Sequence, residues 1–220
     1  MDFMNWQVRQ LKNKIYVVGL GPGNLDFITG AGRKAIEECE AAVGGKRQLE
    51  EIDSLLSSQC ERYELGKLIE VIDYLKSRQG KKIAVVVSGD TGFYSLLPFL
   101  KKYFSNEELE VIPGISSYQY LFSRIGECWQ NYTLASAHGR DFDYIAALKK
   151  GQGVVLLTDD KNTPYVIAKN IFEAGICDAE LVIGERLSYP DEKITIIDVS
   201  SYAELDREFK MNVTIVRKKI

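Results

Sequence analysis

The stretch KIAVVVSGDTG, residues 82–92, decides the fold class of this chain. After Lys82 the run is apolar and mostly β-branched, which is typical of a strand buried on both faces of a sheet. SGDTG then ends the strand with a glycine-containing loop. Such a loop at the carboxyl end of a buried strand predicts the ligand-binding edge of an α/β domain.

The same pattern of strand and loop occurs three more times in the first half of the chain. IYVVGL (15–20) runs into GPGN, AAVG (41–44) into a second glycine, and LEVI (109–112) into PGISS. Alternation of strands with helices predicts an α/β domain with a mainly parallel sheet. Helices are expected at about residues 27–38, 67–78, 94–103 and 113–123.

Strands follow one another more closely in the second half, which predicts a mixed sheet with antiparallel pairs. We therefore expect two α/β domains, residues 14–120 and 121–220, with a cleft between them and an N-terminal extension at residues 1–13. Strands are expected at residues 133–137, 153–157, 180–185, 193–199 and 212–217, and helices at 142–149 and 164–174.

Composition narrows the class of function. The net charge of −3 and the pI near 5.4 disfavour a nucleic-acid partner, which requires a basic surface. The first residues lack the apolar core of a signal peptide, and no run approaches the roughly 18 apolar residues of a membrane span, so a cytoplasmic protein is expected. The four cysteines lack CxxC spacing, which predicts buried thiols and no protein-bound metal.

GLGPG, residues 19–23, allows three interpretations. Its glycines suit a structural turn or a loop whose backbone approaches a ligand. The third is the dinucleotide site of an oxidoreductase or a nucleotide-binding regulatory module. That motif, GxGxxG, requires glycine at position 24, where this chain has asparagine.

Polar side chains of the other loops are also open to two interpretations. Asp90 is suited either to a ligand contact or to a helix cap, and so are Ser116 and Ser117 in PGISS. His138 is the one histidine of the chain. It is expected either to be structural or, in the loop AHGRD (137–141), to face a substrate.

The ordered set GLGPG, SGDTG, PGISS, VVLLT (154–158) and LVIGE (181–185) resembles the tetrapyrrole (corrin/porphyrin) methylase family. The resemblance spans about residues 15–217 and implies S-adenosylmethionine (SAM) bound between two α/β domains of a homodimer. A further contact is implied around residues 211–213. The family's SAM contacts match Pro22, Gly89, Asp90, Phe93, Ser116, Ser117, Leu157 or Thr158, and Glu185.

The sequence departs from the family pattern at two places, and these limit which family roles can be assigned to its residues. Thr91 replaces the proline of the common GDP, so the loop keeps its acid but is less rigid. Where some members carry an acid after the second strand, this chain has Gly44 and Gly45 followed by Lys46 and Arg47. An acid–base role at that position therefore does not transfer.

Three narrower segments are most similar to members that methylate C5 of cobalt-precorrin-7, a precorrin-6Y type substrate. They are AAVGGKRQLE (41–50), AHGRD and GERLSYPDEKI (184–194). The resemblance implies the C5 step of corrin-ring synthesis, with a separate enzyme for C15. The alternatives within the family are a different corrin carbon, diphthine synthase and an rRNA ribose methylase.

A corrin precursor bears many acetate and propionate groups, so Arg or Lys anchors are required. The candidates are Lys46, Arg47, Arg140 and Arg186, each equally suited to be an ordinary surface charge. His138 is our hypothesis for a proton acceptor or an orienting donor.

Overall fold

The computed structural model describes residues 14–78, 80–137, 139 and 142–219. The expected extension at residues 1–13 lies outside them. The chain divides into two compact units, the first ending at Ser116 and the second beginning at Ser117. Within the described residues, no helix combines the length and the apolar character needed to cross a membrane.

The first unit is built around a parallel five-stranded sheet in the order β3-β2-β4-β1-β5. Because all five strands are parallel, their carboxyl ends and the loops that follow lie along one edge of the sheet. The strands are β1 (Lys14–Gly19), β2 (Ala41–Gly44), β3 (Glu61–Glu64), β4 (Lys82–Val87) and β5 (Leu109–Ile112). The helices are α1 (Gly30–Glu37), α2 (Lys46–Ile52), α3 (Leu68–Ser77) and α4 (Leu97–Leu100).

Alternate residues of β4 explain why helices cover both faces of this sheet. Ala84 and Val86 belong to a hydrophobic cluster that includes residues of α1 and α2, whereas Ile83 and Val85 belong to one that includes residues of α3 and α4. All four side chains are almost completely buried. The prediction that KIAVVV is a strand buried on both faces is therefore confirmed, and the strand order places it at the centre of the sheet.

The second unit carries a mixed five-stranded sheet in the order β6-β7-β10-β8-β9. Strands β6 and β7 are parallel, and the other pairs are antiparallel. One hydrophobic cluster packs α6, α7 and the 3₁₀ segment Val199–Leu205 against the sheet. The elements are α5 (Ser117–Ile125), β6 (Tyr132–Ser136), α6 (Tyr144–Lys149), β7 (Gly153–Leu157), α7 (Pro164–Glu173), β8 (Ala179–Glu185), β9 (Lys193–Asp198) and β10 (Asn212–Lys218).

The α/β class, with a parallel first sheet and a mixed second one, is therefore confirmed. Two sequence expectations were wrong, and two elements were missed. The helix expected at residues 94–103 is limited to α4, while helix α2 and edge strand β3 were not foreseen. Cys39 and Cys60 are buried as expected, but Cys128 and Cys177 are exposed.

Candidate functional site

Three glycines bring the loops after β1, β4 and β5 into direct backbone contact in the first unit. A Cβ atom on Gly19 would lie 2.6 Å from the carbonyl oxygen of Gly89 and 2.7 Å from the amide nitrogen of Gly114. A Cβ on Gly114 would lie 2.2 Å from that same oxygen. Real Cβ atoms do not approach backbone so closely, and glycine is therefore required at Gly19 and Gly114.

The loop GLGPG is joined to SGDTG by paired backbone hydrogen bonds. The amide of Gly21 donates to the oxygen of Gly89 over 3.1 Å, and the amide of Gly89 donates to the oxygen of Gly21 over 2.9 Å. Both glycines have positive φ angles, +82° and +67°, which favour glycine. Pro22 follows directly and is buried. The predicted contacts Pro22, Gly89 and Asp90 thus lie in two loops that are bonded to each other.

Asp90 connects its own loop to the PGISS loop. One carboxylate oxygen accepts from the amide of Gly92 at 2.8 Å, and the other accepts from the amide of Gly114 at 3.1 Å. Since the next helix begins only at Leu97, Asp90 does not cap a helix. Its carboxylate therefore fixes the shape of the loop edge.

The other residues at this edge that the resemblance implies as SAM contacts are Phe93, Ser116 and Ser117. The ring of Phe93 packs edge-on against that of Tyr94, with centroids 4.8 Å apart. Ser116 is buried at 2% exposure and ends the first unit, whereas Ser117 is the first residue of α5.

Arg47 lies beside the SGDTG loop, in a helix that was not expected from the sequence. It stands in the first turn of α2 and donates to Ser88 Oγ at 2.7 Å, while its other terminal nitrogen lies 2.6 Å from a carboxylate oxygen of Glu51. Lys46 begins the same helix and is exposed. A guanidinium at this place is suited to bind an anionic group near the loop edge.

A cavity of about 270 Å³ lies in the second unit, between the segment after β7 and the segment before β10. Thr158 was predicted from the sequence and lines it, donating to Asn212 Oδ1 at 2.7 Å. Leu157, the alternative to Thr158, pairs with Val213 in the sheet. The lining side chains are Thr158, Asp159, Asp160, Thr163, Phe209, Lys210, Met211 and Asn212.

Glu185 holds the segment before β10 against the end of β8. The residue is 5% exposed, and its two carboxylate oxygens accept from Arg207 at 3.0 and 2.5 Å. The amide of Lys210 also donates to it at 3.2 Å. Burial raises the pKa of Glu185, but the hydrogen bonds and charge of Arg207 outweigh burial, so the pKa lies below its usual range. Glu185 therefore shapes one wall of the cavity.

Arg186 is committed to the loop after β8. Its Nε lies 3.1 Å from Asp191, its guanidinium lies over the ring of Tyr189, and its φ angle is +50°. Hydrogen bonds from Lys210 and Arg186 lower the pKa of Asp191 to about 2. The positive charge of Arg186, which was expected to anchor a substrate, is thus paired with Asp191 within the same loop.

His138 and Arg140 lie outside the described residues, but the backbone around them is held by groups that the sequence analysis missed. The amide of Gly139 donates to Asp159 at 2.8 Å. The doublet Asp159–Asp160 after a buried strand was a usable signal for a site. Arg207 had no local signal, because only the pairing of β10 with β8 brings it to Glu185. Phe209 had none either, and it lines the cavity from the same segment. Among the described residues, no group of three or more His, Cys, Asp or Glu side chains is arranged to hold a metal ion.

Comparison with known proteins identifies a single family. The family model "Tetrapyrrole (Corrin/Porphyrin) Methylases" matches residues 14–203. The cobalt-precorrin-7 C(5)-methyltransferase of Salmonella typhimurium is 33% identical over 203 residues, which is 91% of this chain and 96% of the relative. A probable enzyme of the same name from Methanocaldococcus jannaschii is 31% identical, covering 87% and 92%. The precorrin-6Y C(5,15)-methyltransferase of a Sinorhizobium species is 28% identical, covering 81% and 43%.

Solved structures show the same fold. A cobalt precorrin-4 methyltransferase has a TM-score of 0.80 at 21% identity, covering 93% of this chain and 94% of that one. A uroporphyrin-III C-methyltransferase from Thermus thermophilus, solved with S-adenosyl homocysteine, has a TM-score of 0.71 at 19% identity, covering 93% and 92%. The chain therefore belongs to the tetrapyrrole (corrin/porphyrin) methylases, which confirms the family and the methyltransferase class expected from its ordered loops.

Proposed function

We propose that this chain transfers the methyl group of SAM to C5 of cobalt-precorrin-7 during corrin-ring synthesis. The observation that carries the proposal is similarity along nearly the whole chain to enzymes of that name, at 33% and 31% identity. The segment Gly44–Arg47, which resembles the members that methylate C5, supports the same substrate.

The cavity in the second unit is suited to one end of the methyl donor. Its volume of about 270 Å³ is below the ~300–1,000 Å³ of a pocket that encloses a whole drug-sized ligand. Phe209 and Met211 offer apolar surface to a flat base, and the carboxylates of Asp159 and Asp160 can accept from ribose hydroxyls. We propose that the adenosine end binds here and that Pro22, Gly89, Asp90, Phe93, Ser116, Ser117, Leu157 or Thr158, and Glu185 shape the donor site.

SAM supplies a methyl group that is already activated by its positively charged sulfur. The protein's task is then to hold the nucleophilic carbon about 3–3.5 Å from that methyl group and in line with the sulfur. The rigid loops around Gly19, Gly89 and Gly114 suit this task, because a fixed edge restricts the positions of both reactants. Lys46, Arg47, Arg140 and Arg186 are proposed to bind the substrate's carboxylates, and His138 to accept or orient a proton.

The decisive experiment supplies SAM with a ¹³C-labelled methyl group and cobalt-precorrin-7. The new methyl signal is expected at C5 in the NMR spectrum of the product. A signal at another carbon would reassign the chain to a different step, and absence of transfer would exclude this substrate. Thermal shifts with SAM and with NAD test the dinucleotide alternative, since a ligand stabilises the fold that binds it.

Three accompanying proposals concern the setting of the reaction. The C(5,15) relative, which is matched over 43% of its length, supports a functional pairing with an activity that methylates C15. A homodimer follows from the family resemblance, and sedimentation at micromolar concentration tests it against a monomer of 24.8 kDa. A cytoplasmic location is tested by cell fractionation.

A further inference from the structure

The segment after β7 is folded around the carboxylate of Asp159. One of its oxygens accepts from the backbone amides of Lys161 and Asn162 at 3.0 and 2.7 Å, and from the side-chain amide of Asn162 at 3.2 Å. The amides of Asn162 and Gly139 lower the pKa of Asp159 to about 2, so it is a carboxylate at neutral pH. The shape of the segment is therefore set by hydrogen bonds to one carboxylate.

The same segment grips the loop after β6 on both sides of position 138. The side-chain amide of Asn162 donates to the oxygen of Ala137 at 2.8 Å, and the second oxygen of Asp159 accepts from the amide of Gly139 at 2.8 Å. The amide of Ala137 donates to the oxygen of Leu157, which extends the β6–β7 pairing up to this point. Gly139 has a φ angle of +63°, so the chain turns where Asp159 holds it.

Asp159 is also part of the cavity wall, together with Thr158, Asp160 and Thr163. One carboxylate thus contacts both the cavity proposed for the methyl donor and the backbone amide of Gly139, which lies between His138 and Arg140 in the sequence. A hydrogen bond to an ionised acceptor is stronger than one between neutral groups. The link between the two sites is therefore short and charge-assisted.

We propose that Asp159 and Asn162 are positioning residues, which fix the backbone at Ala137 and Gly139 relative to the methyl-donor cavity. The proposal rests on the proposed function. Asn162 acts through Ala137 and lies outside the cavity lining, whereas Asp159 serves both sites. Replacing Asn162 is expected to lower turnover while SAM affinity is kept. Removing the charge of Asp159 is expected to lower both turnover and SAM affinity.

The test compares Asn162→Ala, Asp159→Asn and the control Lys161→Ala. Lys161 belongs to the same segment and its side chain is exposed. For Asn162→Ala we expect kcat to fall about tenfold or more, because small misplacements of reacting groups can cost on the order of 100-fold. Its SAM affinity, measured by calorimetry, is expected to stay within about twofold of wild type, because Asn162 does not line the cavity proposed for SAM. Lys161→Ala is expected to match wild type in both measurements.

Hydrogen–deuterium exchange supplies a readout that needs no turnover. Asparagine has a single oxygen acceptor, so Asp159→Asn cannot satisfy Gly139 and its own segment together. The Gly139 amide is expected to exchange faster in this variant than in wild type or Lys161→Ala. Unchanged exchange in Asp159→Asn, or wild-type kcat in a folded Asn162→Ala, overturns the proposal. If wild type transfers no methyl group, the proposed function fails, and the exchange measurement still decides whether the loop is held.

Discussion

Gly114→Ala is the substitution for which the structure predicts the largest effect from the smallest change. The added methyl group would lie 2.2 Å from the oxygen of Gly89 and 2.7 Å from the carbonyl carbon and oxygen of Gly19. All three atoms belong to backbone, so no side-chain rotation relieves the clash. The loops have to separate, which strains the Asp90 bond to Gly114 and the paired bonds between Gly21 and Gly89.

The cost follows from those contacts. Three hydrogen bonds at about 0.5–1.5 kcal/mol each, weakened rather than lost, together with overpacking at about 1–3 kcal/mol, give a destabilisation of about 3 kcal/mol. At about 2–4 °C per kcal/mol for a protein of this size, the Tm falls by about 6–12 °C. SAM affinity measured by calorimetry is expected to fall with it. Gly30→Ala is the matched control, because nothing lies within 4 Å of its added Cβ. A Gly114→Ala protein with wild-type Tm and SAM affinity would refute this account of the loops.

Three further substitutions test separate parts of the proposed site. Asp90→Ala is expected to abolish SAM binding in calorimetry, and retained micromolar affinity would contradict its proposed role. Arg47→Ala is expected to raise the KM for the tetrapyrrole about tenfold with unchanged SAM affinity, whereas Arg62→Ala, which removes a surface pair with Asp53, should change neither. Arg207→Ala leaves Glu185 buried without its ionic partner and is expected to cost about 3 kcal/mol in urea unfolding at pH 7. Because the native pKa of Glu185 is lowered, its stabilisation is present above the unfolded pKa and is lost as pH falls through the folded value. The unfolding free energy of wild type should therefore fall more steeply from pH 6 to pH 3 than that of Arg207→Ala, and parallel slopes would argue against this pair.

The sequence predicted the central strands well because burial on both faces leaves a continuous apolar run. Elements with weaker burial were missed. Strand β3 lies at the sheet edge with the charged sequence ERYE. Helix α2 begins at Lys46, its N-cap residue Gly45 offers no side-chain hydrogen bond, and it buries only Leu49 and Ile52. The helix expected at 94–103 is shortened because Tyr94 adopts a φ angle of +49°, which a right-handed helix does not allow.

The candidate site was predictable where loops follow strands and unpredictable where side chains meet across the sheet. GLGPG, SGDTG and PGISS are local patterns, and Gly19, Gly89 and Gly114 do meet at one edge. By contrast, Arg207 lies 22 residues from Glu185 and reaches it because β10 is inserted next to β8. The spacing of residues along the chain carries no information about that insertion.

The two units hold their site loops by different sets of contacts. The first unit combines backbone contacts between Gly19, Gly89 and Gly114 with the carboxylate of Asp90. The second uses the carboxylates of Asp159, Glu185 and Asp191, whose pKa values all lie below their usual range. These carboxylates stay ionised and keep their partners throughout the neutral range. A change of turnover between about pH 6 and 7 therefore comes from other groups, and histidine is the side chain that normally titrates there. Since His138 is the one histidine in the chain, such a change would support its proposed role in the reaction.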